Sequence, residues 1–310
     1  MRTGLFAKKT PGGILAIESM DITTGSRFFV DSGTGVNDEG HGSSPDAPYA
    51  TLDYAIGKCT ANKGDIIYVM PGHSESTSTA SAELFDLDVA GVSVIGLGEG
   101  DKRPTFTLAV ATATVVIGAA GCRLSNIILV GNISDLVAGL EIEAAATGCI
   151  VDHCLFKDSA TNKDMLKAIT VAADADRLTI EDNQFLITVG GEATHAIEFV
   201  GGCDGLILRR NYFIGDWKDA GGAIDLAGAA SVGILVHDNF MVNADASVGL
   251  CMDLHASTTG GVFRNFVAGS KSNTETITGG EAAHFGENYG NDAAATTGIL
   301  TPSTATNWSA

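Results

Sequence analysis

A ten-residue string returns along this chain at a nearly fixed spacing, and few folds accommodate that. LTIEDNQFLI (178–187), LILRRNYFIG (206–215) and ILVHDNFMVN (234–243) are clear copies, and IVDHCLFKD (150–158), VFRNFVAG (262–269) and HFGENYGN (284–291) are weaker ones. Anchored on the central Asn, the copies fall at Asn183, Asn211, Asn239, Asn265 and Asn288, with His153 standing in one copy earlier. The steps are 30, 28, 28, 26 and 23 residues. A period in this range means one supersecondary unit stacked on itself, so the chain is expected to be a solenoid rather than two globular domains.

The pattern inside each unit is that of strands. AITVA (168–172), AIEFV (196–200), AIDLA (223–227) and CMDLH (251–255) each precede one of the Asn strings, so a coil reads as a pair of short strands between turns. The 39 glycines and the low aromatic content of 6% suit many tight turns and crowded backbones. Around the Asn, Ile180 or Leu208 lies three residues before and Phe185 or Phe213 two after, so the chain is expected to bend at the Asn and send apolar residues inward on both arms. Asn tolerates the left-handed conformation a corner needs, and stacked amides can donate to one coil and accept from another. Asn183, Asn211, Asn239 and Asn265 are therefore expected to form a structural ladder. Counting from the KGD strand (63–65) gives roughly eight coils, about 40 Å of stack.

One stretch points to a family. FFVDSGTG (28–35) leads to a Gly-rich loop, then PYATLDYAIGKC (48–59) and GDIIYVMPG (64–72). Leu52, Ala55, Ile56 and Cys59 occupy one face of a helix expected over about 50–61, some three turns long, with Asp46 or Thr51 as its cap. This pattern of Pro48, Tyr49, Ala50, Thr51, Leu52, Ala55, Ile56, Gly64, Asp65, Ile67, Val69, Pro71 and Gly72 resembles the opening of right-handed parallel β-helix proteins of the pectate-lyase-like superfamily. The resemblance implies an all-β, single-stranded, right-handed parallel β-helix whose first coil is plugged by a short helix, and it implies that the Asn column is an asparagine ladder. The expected organisation is an N-terminal arm (1–27), the β-helix (28–290) and a C-terminal tail (291–310). A helix at the first coil has a physical purpose: it covers an apolar cross-section and a row of unpaired backbone groups.

Charge narrows the partners. The formal net charge of −19 argues against nucleic acid, for which Lys and Arg supply most of the affinity. Six cysteines without a CxxC or zinc spacing make no disulfide framework. Cys122, Cys149 and Cys203 each follow a Gly and read as small buried apolar residues. The start, MRTGLFAKKTPGG, is basic but lacks an apolar h-region, and no run approaches a membrane span. No signal peptide and no membrane segment are therefore expected.

Chemistry has one repeating candidate. Glu141, Thr170, Glu198, Asp225 and Asp253 are the outward residues in the first strand of successive coils. Neighbouring carboxylates there would lie about 5 Å apart. Three readings stay open: a solvated acidic face, a calcium site, or a carbohydrate groove with a glycosidase pair. In the last reading Glu198, Asp225, Asp253 and His255 are the catalytic candidates. Arg209 and Arg210 sit beside the Asn corner, where consecutive residues are expected to point apart. Asp31, Asp38 and Glu39, near Asn37 and His41 in a Gly-rich loop, are a second candidate for metal, although the spacing is not that of an EF-hand. No cofactor motif appears, and calcium is the ion either place would take.

Fold alone does not assign function. A compact β-helix without a catalytic motif and with short arms is similar to phage decoration, knob or tail-associated proteins. That resemblance implies a non-enzymatic virion structural protein, assembled in a host cytoplasm, trimeric, and docking on capsid proteins through residues 1–27 or the tail. The alternative is a carbohydrate-binding or -cleaving protein of the tailspike type, a polysaccharide lyase or glycoside hydrolase, with a glycan as partner.

Overall fold

The computed structural model describes residues 7–10, 13–16, 23–77, 83–187, 190–270 and 276–290. The body is a parallel β-solenoid made of three sheets of ten, nine and eight strands, here called sheets I, II and III. Each complete coil runs through sheet I, turns a corner into sheet II, and crosses a loop to sheet III. Each strand pairs in parallel with its equivalents in the coils before and after. A coil therefore holds three strands and not two. The Asn string is cut in two at its corner, as in Ile207–Arg209 on sheet I and Tyr212–Gly215 on sheet II.

The corner has a definite cause, and it is not the Asn itself. The residue with positive φ stands one position earlier: His153, Asp182, Arg210, Asp238, Arg264 and Glu287, all between +53° and +57°. His153 thus belongs to the left-handed series, and Cys154 takes the place that Asn183 holds in the next coil. Its N–H donates to Asn183 Oδ1 at 2.8 Å. With the preceding residue making the bend, the Asn side chain is free to turn inward, where all five are buried. Asn211 Nδ2 donates back to Ile180 O and forward to Asn239 Oδ1 (2.8 and 3.1 Å). Asn239 and Asn265 repeat the pattern, and Asn288 closes it by donating to Val262 O.

Inside, one core cluster runs the length of the stack. Ile180, Leu208, Phe185 and Phe213 all lie in it, on both arms of the corner. Parallel register stacks like on like: Phe156, Phe185 and Phe213 lie ring on ring at 4.8 and 4.6 Å, tilted by less than ten degrees. Cys122, Cys149, Cys154, Cys203 and Cys251 are buried thiols, and burial pushes Cys154, Cys203 and Cys251 up to about 12.

At the first coil a helix is present but shorter than its periodicity suggests, spanning Leu52–Ile56. After Gly57 the chain tightens into turns, with Lys58 and Cys59 donating to Ala55 and Ile56 carbonyls. Leu52, Ala55 and Ile56 join the main core, and Cys59 packs against it. Thr51, one of the two expected caps, holds the N-cap position, but its side chain makes no capping hydrogen bond. Glu75 reaches over from the neighbouring coil and accepts from Leu52 N at 2.8 Å, while Thr51 is engaged by Asn37. Ahead of the body, Ala7–Thr10 and Gly13–Ala16 pair as an antiparallel hairpin. The rest of the expected arm up to residue 22, and the expected tail at 291–310, lie outside the described residues.

Candidate functional site

Sheet III sets the acidic row. Glu141, Thr170, Glu198, Asp225 and Asp253 are opposite one another, coil to coil, and Thr278 continues the column. Stacked like charges repel, so the row needs counter-groups. Glu198 takes Lys167 Nζ at 2.6 Å, Asp225 Oδ1 accepts from Ala227 N at 2.9 Å, and Asp253 Oδ1 accepts from Thr278 Oγ1 at 2.8 Å. Thr170 interrupts the charges, and its buried hydroxyl has no partner among the described residues.

The row also has a member that sequence reasoning missed. His195 opens the strand His195–Phe199 with its side chain only 4% exposed. Its Nδ1 lies 2.8 Å from Gly222 O. A carbonyl only accepts, so Nδ1 carries the proton, and in the neutral ring Nε2 is left as an acceptor. That nitrogen faces Asp225 Oδ2 at 3.9 Å and Asp219 Oδ2 at 4.0 Å. Asp225 leans back over Gly221, where a Cβ would come within 2.6 Å of its carboxyl carbon. Counted by alternation from Glu198, His195 falls on the inward side with Ile197, which hid it. The only signal was a His three residues before a row carboxylate. His255, the histidine expected in this role, lies just past its strand, Met252–Leu254, and its Nδ1 accepts from Ser257 N.

A second acidic group lies nearer the helix. A Cβ on Gly118 would sit 3.1 Å from Asp86 Oδ1 and 3.2 Å from Glu143 Oε2, so two carboxylates converge over a residue with no side chain. Burial pushes Asp86 up to about 6, helped by Glu83, Asp88 and Glu143. Close by, a cavity of about 440 Å³ is lined by Thr51, Asp53, Glu75, Ser76, Thr77, Glu83 and Leu84. Burial also raises Asp53 above the usual carboxylate range.

The corner between sheets I and II pairs its charges. Arg209 and Arg210 do not point apart. Both reach Glu181 Oε2, at 2.6 and 2.7 Å, and Arg210 also holds Asp182. The left-handed conformation of Arg210 turns its side chain to the same side as Arg209. Arg264 holds Asp238 in the same way, from one coil further, and keeps that carboxyl well below its usual range together with His237. In the Gly-rich loop, Asp31 accepts from Gly33 N and Thr34 Oγ1, and Asp38 accepts from Gly40 N and pairs with His41. Both carboxylates thus serve their own turns. Among the described residues no group of three His, Cys, Asp or Glu side chains is placed to hold a metal ion.

Sheet II carries the opposite surface. Gln184, Tyr212, Phe240, Phe266 and Tyr289 form one outward column. Tyr212, Phe240 and Phe266 stack at 4.9 and 5.0 Å. Two residues along each strand lies a second outward column, Leu186, Ile214, Val242 and Ala268. Neither column holds a charge from Gln184 to Tyr289. Leu186, Tyr212, Phe266 and Tyr289 are each more than a third exposed.

No family model and no curated protein matches the chain. Among solved structures it is similar to a rhamnogalacturonan lyase, at 11% identity and a TM-score of 0.44, over 85% of this chain and 87% of that one. It is also similar to a GH136 lacto-N-biosidase from Eubacterium ramulus, at 10% identity and a TM-score of 0.27, over 86% of this chain and 67% of that one. Among the described residues no helix is long and apolar enough to cross a membrane.

Proposed function

We propose that this chain is a non-enzymatic structural protein that builds into a larger assembly, with a virion surface as the setting and other virion proteins as its partners. The observation that carries this reading is the contrast between the outward faces. The three carboxylates placed as catalytic candidates, Glu198, Asp225 and Asp253, are each engaged by a group of the same chain. From Gln184 to Tyr289 the outward face of sheet II, by contrast, presents uncharged side chains, with Leu186, Tyr212, Phe266 and Tyr289 exposed to solvent. Apolar patches of this size, about 300 Å², are often functional even on monomers. Catalysis on a polysaccharide asks for the reverse: carboxylates left free for substrate and an acid or base beside them.

The test is co-sedimentation of the full chain with capsids, compared with a chain lacking residues 1–27. Binding that depends on those residues is the expected result. A second reading, cleavage of a glycan, has one observation in its favour: the buried His195 beside Asp225. A panel of polysaccharides decides between them. Release of reducing ends or unsaturated products, lost in Asp225→Asn, would overturn the structural reading.

A further inference from the structure

The two outward columns of sheet II differ in size in a way that has a geometric consequence. Within a coil the ring and the aliphatic residue are paired: Tyr212 with Ile214, Phe240 with Val242, Phe266 with Ala268. From Tyr212 onward a ring persists in one column while the aliphatic neighbour shrinks from Ile214 through Val242 to Ala268. A surface with one tall and one low ridge fits a copy of itself turned so that each tall ridge meets a low one.

Only one twofold does that. With the axis parallel to the stack, a facing copy keeps its height and exchanges left for right. Its ring column then lies over the aliphatic column of the first molecule, Tyr212 against Ile214, Phe240 against Val242 and Phe266 against Ala268. With the axis along the strands, ring would meet ring and aliphatic would meet aliphatic, which leaves a gap on one side. The period is matched as well, because both faces repeat at the strand spacing, about 4.8 Å. Charge selects the same face. Two copies at −19 each repel, and between Gln184 and Tyr289 the outward positions of sheet II add no charge to the contact.

We propose that the outward face of sheet II is a self-association surface that takes a second copy of this chain, face to face, about a twofold parallel to the solenoid axis. This deepens the structural reading above by naming a partner, and it rests on that reading. The patch, one column five strands long beside one of four, covers about 300 Å². A standard stable interface buries about 800 Å² per partner. The pair is therefore a weak, concentration-dependent one, and salt strengthens it by screening the repulsion between acidic bodies.

Sedimentation equilibrium of the full chain over a concentration series tests this. The expected mass climbs from that of the monomer toward twice that value, and climbs further at higher salt. Phe266→Lys, at a half-exposed position, is expected to hold the chain monomeric with its circular dichroism unchanged. Geometry is checked by mixing a Gln184→Cys protein with a Leu186→Cys protein, changes that leave every ring in place, and adding a short bis-maleimide. The mixture is expected to cross-link much faster than either protein alone. A chain that stays monomeric at every concentration, a trimeric mass, association untouched by Phe266→Lys, or equal cross-linking of the single variants would each overturn the pair. A monomeric result leaves the structural role standing, whereas saccharide cleavage would remove that role without changing the measured mass.

Discussion

Sheets II and III are built by the same coils and turn the same kind of residue inward, yet outward they are opposites. Parallel register forces any outward choice to repeat every coil, so whatever sits there is multiplied. Stacked rings gain from that multiplication, roughly 0.5–1.5 kcal/mol per pair. The ring column accordingly runs unbroken from Tyr212 through Phe240 to Phe266. Stacked carboxylates lose by it. The acidic row is broken by Thr170, ends on Thr278, and draws in Lys167 from the start of the neighbouring strand, Lys167–Val171. A solenoid can carry a row of acids only by compensating it, whereas a row of rings compensates itself. That difference is why sheet II has surface to spare for a partner.

The largest expected effect comes from breaking what both faces stand on. In Asn239→Ala the N–H and Nδ2 of Asn211 lose their common acceptor, and Leu208 O loses a donor, all of them buried. Orphaned buried polar groups cost about 1–3 kcal/mol each, so a loss of about 3 kcal/mol is expected in urea unfolding. Both faces should fail together in this variant. If the loss stayed below about 1 kcal/mol, the column would be an ornament of the corner and not its support.

Next comes the acidic side. The carboxyl of Asp86 is raised to about 6 by burial and by its acidic neighbours, so the folded chain binds its proton more tightly than the unfolded chain does. The stability linked to that group is greatest below the unfolded value near 3.8 and is lost as pH rises toward 6. At pH 7 Asp86→Asn removes the cost. A gain of about 1 kcal/mol is expected, after allowance for solvent screening. The gain should vanish in denaturant unfolding at pH 3.5. An equal effect at both pH values would mean that charge is not what sheet III struggles with.

How far these features could be read beforehand follows from the same geometry. Period and register were legible because stacking repeats them: the row from Glu141 to Asp253 lies in register as its spacing indicates. What failed was local. One residue of shift moved the left-handed bend from the Asn to its neighbour, and with it the role of His153 and the direction of Arg210. The helix lost its last turns where tight turns after Gly57 took over. His195 stayed hidden because its partner, Gly222 O, is in the next coil, and no one-dimensional alternation reports a contact across coils. The aromatic column is present in the letters, but nearness of each ring to an Asn corner does not tell that Tyr212, Phe240 and Phe266 share one outward face across three coils.

The smallest expected effect is the most discriminating. Tyr212 and Phe213 are neighbours on one strand, and Phe213 lies in the buried stack while Tyr212 is 39% exposed. Tyr212→Ser gives up one outward stack, with Phe240 at 4.9 Å, and leaves every buried contact in place. A change of about 0.5 kcal/mol in monomer unfolding is expected. Self-association measured on the same variant should nonetheless be strongly weakened. Large loss of association with little loss of stability is what separates a surface kept for a partner from a surface that holds the fold. Were Tyr212→Ser to cost about as much as Asn239→Ala, the rings would belong to the scaffold, and the two faces of this solenoid would differ only in how they stabilise it.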